Sequence, residues 1–165
     1  MGSRFSKTPD ALRTEGGVLL FRSCLVSAEY PGVESATKWL FERFGIEYKV
    51  NPEQTCCTGL GYYSDLMPIQ TTVSLAARNA CVAVDDDHPT MSYLCSTCYA
   101  INKKARNILD VPDYRAQTNA VLAKIGREYD DRIAGTVSTS TRSRSSGAPT
   151  TASPTWSAAA STASR

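Results

Sequence analysis

The position of five cysteines relative to three strand-like segments is the feature that most limits how this chain can fold. Val18–Phe21 is a short apolar run, Ile46–Val50 alternates apolar and polar residues, and Thr90–Leu94 has the pattern of a third strand. The cysteines that follow these segments are Cys24 after the first, Cys56 and Cys57 after the second, and Cys95 and Cys98 after the third. A fold that uses these strands side by side must therefore bring thiols from three loops together.

Helical patterns occupy the intervals between the strands. An apolar residue recurs every three or four positions in a first helix that Gly45 ends, at Val33, Ala36, Leu40 and Phe44. Pro68 is suited to the first turn of a second helix. Two further helices are predicted at Tyr99–Leu109 and Asp113–Tyr129. The alternation predicts an α/β fold with a small parallel sheet and flanking helices.

Composition divides the chain into three parts. We expect residues 1–16 to be a flexible extension, residues 17–135 to form the folded domain, and residues 136–165 to be a disordered tail. Sixteen of the last 30 residues are Ser or Thr and six are Ala, so this segment cannot bury enough apolar surface to offset the entropy of ordering. Two origins of the tail stay open: a native flexible segment, or an out-of-frame reading of the gene.

The charge distribution argues against a nucleic-acid-binding protein. Residues 136–165 contain three of the 18 basic residues and none of the 16 acidic ones, so residues 1–135 carry 15 basic and 16 acidic groups. No apolar run approaches the roughly 18 residues of a membrane span, and the polar start lacks the apolar core of a signal peptide. We therefore expect a cytoplasmic protein that binds no nucleic acid and does not itself span a membrane.

The strand ends predict a shared metal site. The carboxyl ends of parallel strands meet at one edge of a sheet, where ligands bind, so five thiols from three loops are expected to meet there. Thr58-Gly59-Leu60-Gly61 would let the backbone approach closely and donate N–H groups to the sulfurs or to a substrate. The sixth cysteine, Cys81, lies beside the apolar stripe of a helix and is expected to be a buried core residue.

The residues alone leave three kinds of site open. Thiolates are preferred by iron–sulfur clusters and by zinc, and Cys95-x-x-Cys98 by itself also fits a redox dithiol. Two adjacent cysteines rarely reach one tetrahedral zinc ion, whereas a polynuclear cluster accommodates them better. An iron–sulfur cluster is therefore favoured over zinc and over a dithiol. Tyr62 and Tyr63 follow the glycine loop, either as pocket residues or as packing over the loop.

Several segments resemble the cysteine-rich "CCG" domain in the B subunit of the heterodisulfide reductases. The resemblance rests on the spacing of the five cysteines and on the segments Cys24-Leu-Val-Ser-Ala-Glu-Tyr-Pro-Gly-Val-Glu, Thr55-Cys-Cys-Thr-Gly, Ala76-Ala-Arg-Asn-Ala80 and Cys95-Ser-Thr-Cys-Tyr. It covers about residues 17–130 and corresponds to the N-terminal half of that protein. It implies a Rossmann-like cysteine-rich domain.

The resemblance also implies a cofactor, a reaction and partners. A noncubane [4Fe-4S] cluster would be held by the positions matched here by Cys24, Cys56, Cys57, Cys95 and Cys98, and the resemblance assigns no catalytic residue. The reaction would be reductive cleavage of the mixed disulfide of coenzyme M and coenzyme B, in the oxidoreductase complexes of methanogenesis. Electrons would arrive from a ferredoxin-like iron–sulfur subunit, and ultimately from a flavin subunit or a membrane donor.

Two departures from the family pattern keep alternatives open. No cysteine follows Tyr129 in this sequence, so we expect it to hold one of the two cysteine-rich domains of the family protein and to be inactive alone. Thr58 also separates the paired cysteines from Gly59, so the literal Cys-Cys-Gly is not present. The alternatives are a non-catalytic iron–sulfur or zinc-binding assembly module and an electron-transfer component of a related organic-acid oxidoreductase.

Overall fold

The computed structural model describes residues 17–88 and 90–136. The predicted extension over residues 1–16 and residues 137–165 of the predicted tail lie outside the described residues. Within the described part, three parallel strands form one sheet in the order β2-β1-β3. The strands are β1 at Val18–Phe21, β2 at Tyr48–Lys49 and β3 at Met91–Tyr93. The α/β fold with a small parallel sheet and flanking helices is therefore confirmed.

Seven α-helices surround this sheet in the described part of the chain. They are α1 at Cys24–Glu29, α2 at Pro31–Phe44, α3 at Gly59–Tyr63, α4 at Ile69–Asp85, α5 at Ser96–Leu109, α6 at Pro112–Leu122 and α7 at Asp131–Thr136. The connection from β1 to β2 contains α1 and α2, and the connection from β2 to β3 contains α3 and α4. Because these crossovers run in opposite directions across the sheet, right-handed connections place them on opposite faces.

The main core lies between the sheet and the helices α4 and α5. Leu19 and Phe21 of β1 pack there with Val73 of α4 and with Ile101 of α5, and all four are almost fully buried. Every residue of β1 is buried, as expected for a central strand with helices on both faces. The sheet is therefore fixed by burial of its central strand, and the ends of its three strands are held in place relative to one another.

Several predicted boundaries were wrong by a few residues. The strand predicted at Ile46–Val50 is limited to Tyr48–Lys49. Pro68 lies at the N-cap position, one residue before the first turn of α4, instead of inside that turn. The helix predicted from Tyr99 begins three residues earlier, at Ser96. The helix predicted to reach Tyr129 ends at Leu122 and continues as one 3₁₀ turn, which Gly126 ends in the left-handed conformation with φ of 69°.

The apolar stripe of α2 faces away from the core. Glu34 is the buried residue of this helix, and its carboxylate contacts Arg22 Nε at 3.0 Å and Lys38 Nζ at 2.6 Å. The apolar residues Val33, Trp39, Leu40 and Phe44 are exposed. The helix therefore turns an ion-paired face inward and an apolar face outward, while Gly45 ends it in the left-handed conformation as predicted.

Candidate metal centre

The five predicted thiols lie around a single pocket at the carboxyl ends of the three strands. Cys24 is the first residue of α1, Cys56 and Cys57 lie in the loop before α3, and Cys95 caps the N-terminus of α5 with Cys98 in its first turn. All five line one pocket with an open volume of about 360 Å³. The parallel sheet thus brings together residues that are up to 74 positions apart, between Cys24 and Cys98, in the sequence.

Within the pocket, four of the sulfurs form two close pairs. The Sγ atoms of Cys24 and Cys56 lie 3.6 Å apart, and both residues are exposed. The Sγ atoms of Cys57 and Cys98 lie 3.2 Å apart, and both residues are buried. The adjacent residues Cys56 and Cys57 therefore belong to different pairs, one at the mouth of the pocket and one at its base.

The two thiols of the buried pair, Cys57 and Cys98, differ in pKa. The hydrogen-bonded contact with the Cys98 side chain lowers the pKa of Cys57 to about 6 in spite of its burial. The same contact and burial raise the pKa of Cys98 far above its usual range. Cys57 is therefore the member of the pair that loses its proton more readily.

Backbone N–H groups of the following loop point at the sulfurs. The N–H of Thr58 donates to Cys56 Sγ at 3.3 Å, and the N–H of Gly59 donates to Cys57 Sγ at 3.4 Å. Thr58 has φ of 58°, in the left-handed region that glycine adopts most readily. This conformation gives a physical reason for a glycine directly after the paired cysteines, where this chain has threonine instead.

Gly59 is required by space as well. A Cβ atom at this position would lie 2.7 Å from Thr97 Cγ2 and 3.0 Å from Ile101 Cγ1, both on α5. The loop and α5 are therefore in direct contact beside the sulfurs. The predicted close approach of the backbone at Thr58-Gly59 is confirmed by this contact and by the two N–H donors.

The N-terminus of α5 affects the remaining thiol. Burial would raise the pKa of Cys95, but the backbone N–H groups of Cys98 and Thr97 outweigh it, and the pKa is lowered. This is the thiolate-stabilising effect expected at a helix N-terminus. The helix thus favours the ligand-competent form of the one cysteine in the pocket that lies outside the two pairs.

Asn79 of α4 anchors the loop that carries the paired cysteines. Its Oδ1 accepts from the N–H of Thr55 at 2.9 Å and from the Thr55 hydroxyl at 3.0 Å, and its Nδ2 donates to the Thr55 carbonyl at 3.1 Å. Asn79 is fully buried. Sequence reasoning assigned this residue no role, although a polar residue inside the alanine-rich segment Ala76–Ala80 is a signal for it.

The rim of the pocket is apolar, and the two tyrosines of α3 lie outside the pocket lining. Leu25 and Leu60 line the pocket and are exposed. Tyr62 packs against the core instead, and its hydroxyl accepts from Lys104 Nζ at 2.6 Å. Of the two roles considered for Tyr62, packing and not pocket lining is therefore the one it has.

Cys81 lies apart from the pocket, as predicted. It is 2 % exposed within the main core, and its thiol donates to the Glu128 carbonyl at 3.5 Å. Burial raises the pKa of Cys81 to about 11, with nearby Asp85 contributing. The thiol therefore stays protonated at neutral pH, which is the state of a core residue and not of a ligand.

The donor set of the pocket fits a group that thiolates bind. Five sulfurs line it, and N–H groups are directed at the sulfurs of Cys56 and Cys57, which is the hydrogen-bonded thiolate environment found around iron–sulfur clusters. The five sulfurs share this pocket without surrounding a single point. Accordingly, no three His, Cys, Asp or Glu side chains in residues 17–88 and 90–136 are arranged to hold one metal ion.

Comparison with known proteins connects this arrangement to one family. Residues 18–101 match the CCG family, described as "Cysteine-rich domain". The chain belongs to the CCG family of cysteine-rich domains. All five clustered thiols, from Cys24 to Cys98, lie inside the matched range, so the family match and the pocket describe the same part of the CCG domain.

Heterodisulfide reductase proteins are among the relatives of this CCG domain. It is 46% identical over 117 residues to the B subunit of a ferredoxin:CoB-CoM heterodisulfide reductase from Methanosarcina acetivorans. It is 29% identical over 114 residues to a protein from Archaeoglobus profundus that is named as similar to the heterodisulfide reductase B subunit. These matches cover 70% and 68% of this chain but 37% and 38% of the relatives. The resemblance to the N-terminal portion of the B subunit is confirmed, and the chain spans little more than a third of those relatives' length.

A solved structure supports the fold alone. The crystal structure of a hypothetical protein from Helicobacter pylori aligns with a TM-score of 0.61 at 18% sequence identity, over 72% of this chain and 23% of the other. Separately, none of the helices in the described part of the CCG domain has the length and apolar character needed to cross a bilayer.

Proposed function

We propose that this CCG domain is the iron–sulfur part of a heterodisulfide reductase-like oxidoreductase complex. Cys24, Cys56, Cys57, Cys95 and Cys98 would hold a noncubane [4Fe-4S] cluster. The reaction would be electron transfer to, and reductive cleavage of, the mixed disulfide of coenzyme M and coenzyme B. The observation that carries the proposal is the convergence of five thiols from three loops on one pocket.

The chain's own residues would prepare the pocket for the cluster. The contact with Cys98 and the Gly59 N–H lower the pKa of Cys57, so the base of the pocket would offer a ligand that deprotonates more readily than an ordinary cysteine. The N–H groups of Thr58 and Gly59 would continue to donate to ligand sulfurs, which lowers the charge density on them and tunes the reduction potential. When bound, the cluster would supply the electrons for disulfide reduction.

The rim of the pocket would control access of water and substrate. Leu25 and Leu60 present apolar surface at the mouth, beside the exposed pair Cys24 and Cys56. Apolar side chains at this position exclude water from the sulfurs and favour a substrate or partner that covers the opening. A disulfide that enters the pocket would meet the Cys24–Cys56 side first, because the other pair is buried.

The proposed partners follow from the relatives and not from contacts of this chain. The name of the Methanosarcina relative pairs ferredoxin with the CoB-CoM heterodisulfide. We propose that this chain likewise works in the cytoplasm with a ferredoxin-like iron–sulfur subunit, and with a flavin subunit or membrane donor. Since the chain spans about 37% of the relative's length, the complete activity is proposed for the assembled complex.

Metal analysis of the full-length chain tests the proposal. After anaerobic reconstitution with iron and sulfide, we expect about four iron and four acid-labile sulfide per chain. We also expect an EPR signal when the reconstituted chain is oxidised in the presence of the thiol products. Reconstitution in the presence of equimolar zinc is the competing condition. One zinc and no iron under that condition would contradict the proposal and favour the zinc-binding assembly module.

A further inference from the structure

The two sulfur pairs point to a second chemistry of this pocket, separate from cluster binding. Cys24 and Cys56 contact each other at 3.6 Å, and Cys57 and Cys98 at 3.2 Å. A disulfide S–S bond is about 2.05 Å long, so each pair closes with a movement of about one to one and a half ångströms. Side-chain rotation and small loop shifts suffice for such a movement.

The pairing is compatible with both bonds at once. Cys56 and Cys57 are neighbours in the sequence, yet each contacts a cysteine on a different element, α1 for Cys56 and α5 for Cys57. One bond would tie the loop to α1 and the other would tie it to α5, without a strained ring between adjacent residues. The Sγ–Sγ contacts among the described residues join Cys24 to Cys56 and Cys57 to Cys98, and neither involves Cys95.

We propose that the cluster-free domain reacts with low-molecular-weight disulfides to form two disulfides, Cys24–Cys56 and Cys57–Cys98, and keeps Cys95 as a thiol. The proposal does not depend on which metal group the pocket binds. It assigns to the pocket a reversible, oxidised state in which four of its five sulfurs are protected from irreversible oxidation.

Each bond forms by two successive exchange steps. One cysteine sulfur attacks a disulfide R–S–S–R, forms a mixed disulfide and releases one RSH, which carries away the cysteine proton. The second cysteine of the pair attacks the mixed disulfide, closes the protein bond and releases the second RSH. Two cysteine sulfurs are oxidised and one R–S–S–R is reduced per bond, so the complete state consumes two molecules of R–S–S–R.

Exposure indicates where the exchange begins. Cys24 and Cys56 are exposed and reach solvent directly, whereas Cys57 and Cys98 are 3 % and 2 % exposed at the base of the pocket. The pocket, which all five cysteines line, is the route to the buried pair. In the oxidised state these sulfurs would no longer be free to bind metal, so oxidation and metal loading would compete for the same atoms.

The experiment uses the full-length chain after removal of metal and complete reduction. The chain is incubated with oxidised glutathione, quenched with acid, denatured and alkylated with N-ethylmaleimide, and its intact mass is measured. Of the six cysteines, we expect four to be oxidised and the remaining two, Cys81 and Cys95, to be alkylated. Dithiothreitol before alkylation should restore all six adducts.

Peptide mapping without reductant shows which segments are joined, and fragmentation that locates the N-ethylmaleimide label on Cys95 leaves Cys98 as the bonded residue of its peptide. Trypsin places the cysteines in peptides 23–38, 50–78 and 79–103, and the proposed bonds join these three into one species. In Cys57→Ala, peptides 23–38 and 50–78 should still be joined, and in Cys24→Ala, peptides 50–78 and 79–103 should still be joined. Cys81→Ala should behave as the unsubstituted chain.

Three results would overturn the proposal. These are a bond between Cys95 and Cys98 in the unsubstituted chain, a bond between the adjacent Cys56 and Cys57, or stable glutathione adducts without internal bonds. Each is distinguishable by mass from the expected three-peptide species. Because the metal-free chain is used throughout, failure to bind iron would leave this result intact, and the two proposals are tested independently.

Discussion

Asn79 of α4 and Thr55 of the loop before the paired cysteines share three hydrogen bonds, between 2.9 and 3.1 Å long. One buried amide thereby satisfies both backbone polar groups and the hydroxyl of Thr55. The loop that carries Cys56 and Cys57 is attached to the longest helix of the described domain at this point. The position of two thiols therefore depends on a residue that does not line the pocket.

Replacing Asn79 should both destabilise the domain and disturb the pocket. Asn79→Ala leaves the Thr55 N–H and carbonyl without their partner, so we expect the free energy of unfolding to fall by about 2–3 kcal/mol. Urea unfolding followed by circular dichroism measures this loss. Arg78→Ala is the matched control on the same helix, because its Nη1 bonds the exposed carbonyl of Glu53. Equal losses in the two variants would contradict the anchoring role.

The low pKa of Cys57 should be visible as thiolate absorbance. In the reduced, metal-free chain, titration at 240 nm should show a transition with an apparent pKa of about 6, which belongs to the Cys57–Cys98 pair. Cys98→Ala removes the side-chain contact that lowers the pKa of Cys57, so this pKa should rise toward that of an ordinary cysteine. Cys81→Ala should keep the transition, because Cys81 has a pKa of about 11. A transition near pH 6 that survives Cys57→Ala would refute the assignment.

Cluster loading should distinguish the pocket from the core. We expect Cys57→Ser to lose the iron and sulfide that the unsubstituted chain retains after reconstitution, because it removes the buried thiolate. Cys81→Ser should keep them, because Cys81 lies in the core outside the pocket. Iron and acid-labile sulfide assays compare the variants, and circular dichroism checks that both are folded. Equal loss of iron in two folded variants would show that the pocket is not the binding site.

Gly59 should tolerate no side chain. Gly59→Ala places a methyl group 2.7 Å from Thr97 and 3.0 Å from Ile101, so we expect a loss of about 1–3 kcal/mol in the free energy of unfolding. Gly32→Ala is the control, because nothing lies within 4 Å of a Cβ there and the residue is in α2. Alanine favours a helix over glycine by about 0.5–1 kcal/mol. Thermal unfolding should therefore move in opposite directions for the two variants.

The ion pairs of Glu34 should make stability depend on pH. The hydrogen bond from Lys38 outweighs burial and, with Arg22, lowers the pKa of Glu34 below its usual 4.5. A lowered folded pKa stabilises the domain above the unfolded pKa, and this contribution is lost as the pH falls through the folded pKa. Glu34→Gln should therefore cost about 1–2 kcal/mol at pH 7, and this cost should shrink as the pH falls below 4.5 toward the lowered pKa of Glu34.

Denaturant titrations of the unsubstituted chain and of Glu34→Gln, at pH 7 and at pH 3.5, measure how the difference in their free energies of unfolding depends on pH. Glu42→Gln is the control, since Glu42 is exposed and accepts one hydrogen bond from the Tyr48 hydroxyl. A constant difference between Glu34→Gln and the unsubstituted chain at the two pH values would show that ionisation of Glu34 is not the cause.

Strong local signals made much of the fold predictable from the sequence. The apolar run Val18–Phe21 is β1 as predicted, and Gly45 ends α2 because glycine adopts the left-handed conformation there at low cost. The helices α1, α3 and α7 were missed, since each has only five or six residues. Such a helix is shorter than two turns, and hydrophobic periodicity needs a longer segment to show.

The candidate site was predictable in its members but not in its internal arrangement. Strand ends predicted that five cysteines would share an edge of the sheet, and all five line one pocket. The sequence contains no signal that Cys56 contacts Cys24 while its neighbour Cys57 contacts Cys98, because this depends on side-chain directions in a loop. Periodicity likewise located the apolar stripe of α2 but could not show that Glu34 takes the inward position.

The outward stripe of α2 has a practical consequence for protein engineering. Trp39 and Leu40 are 60 % and 44 % exposed, and the pocket lining includes no residue of this helix. Their replacement by lysine or glutamate would add charge to the most apolar surface of α2 while leaving every thiol and its hydrogen-bond partners unchanged. Solubility can therefore be altered without changing the sulfur chemistry of this domain, because the exposed apolar residues of α2 and the pocket cysteines lie on different elements.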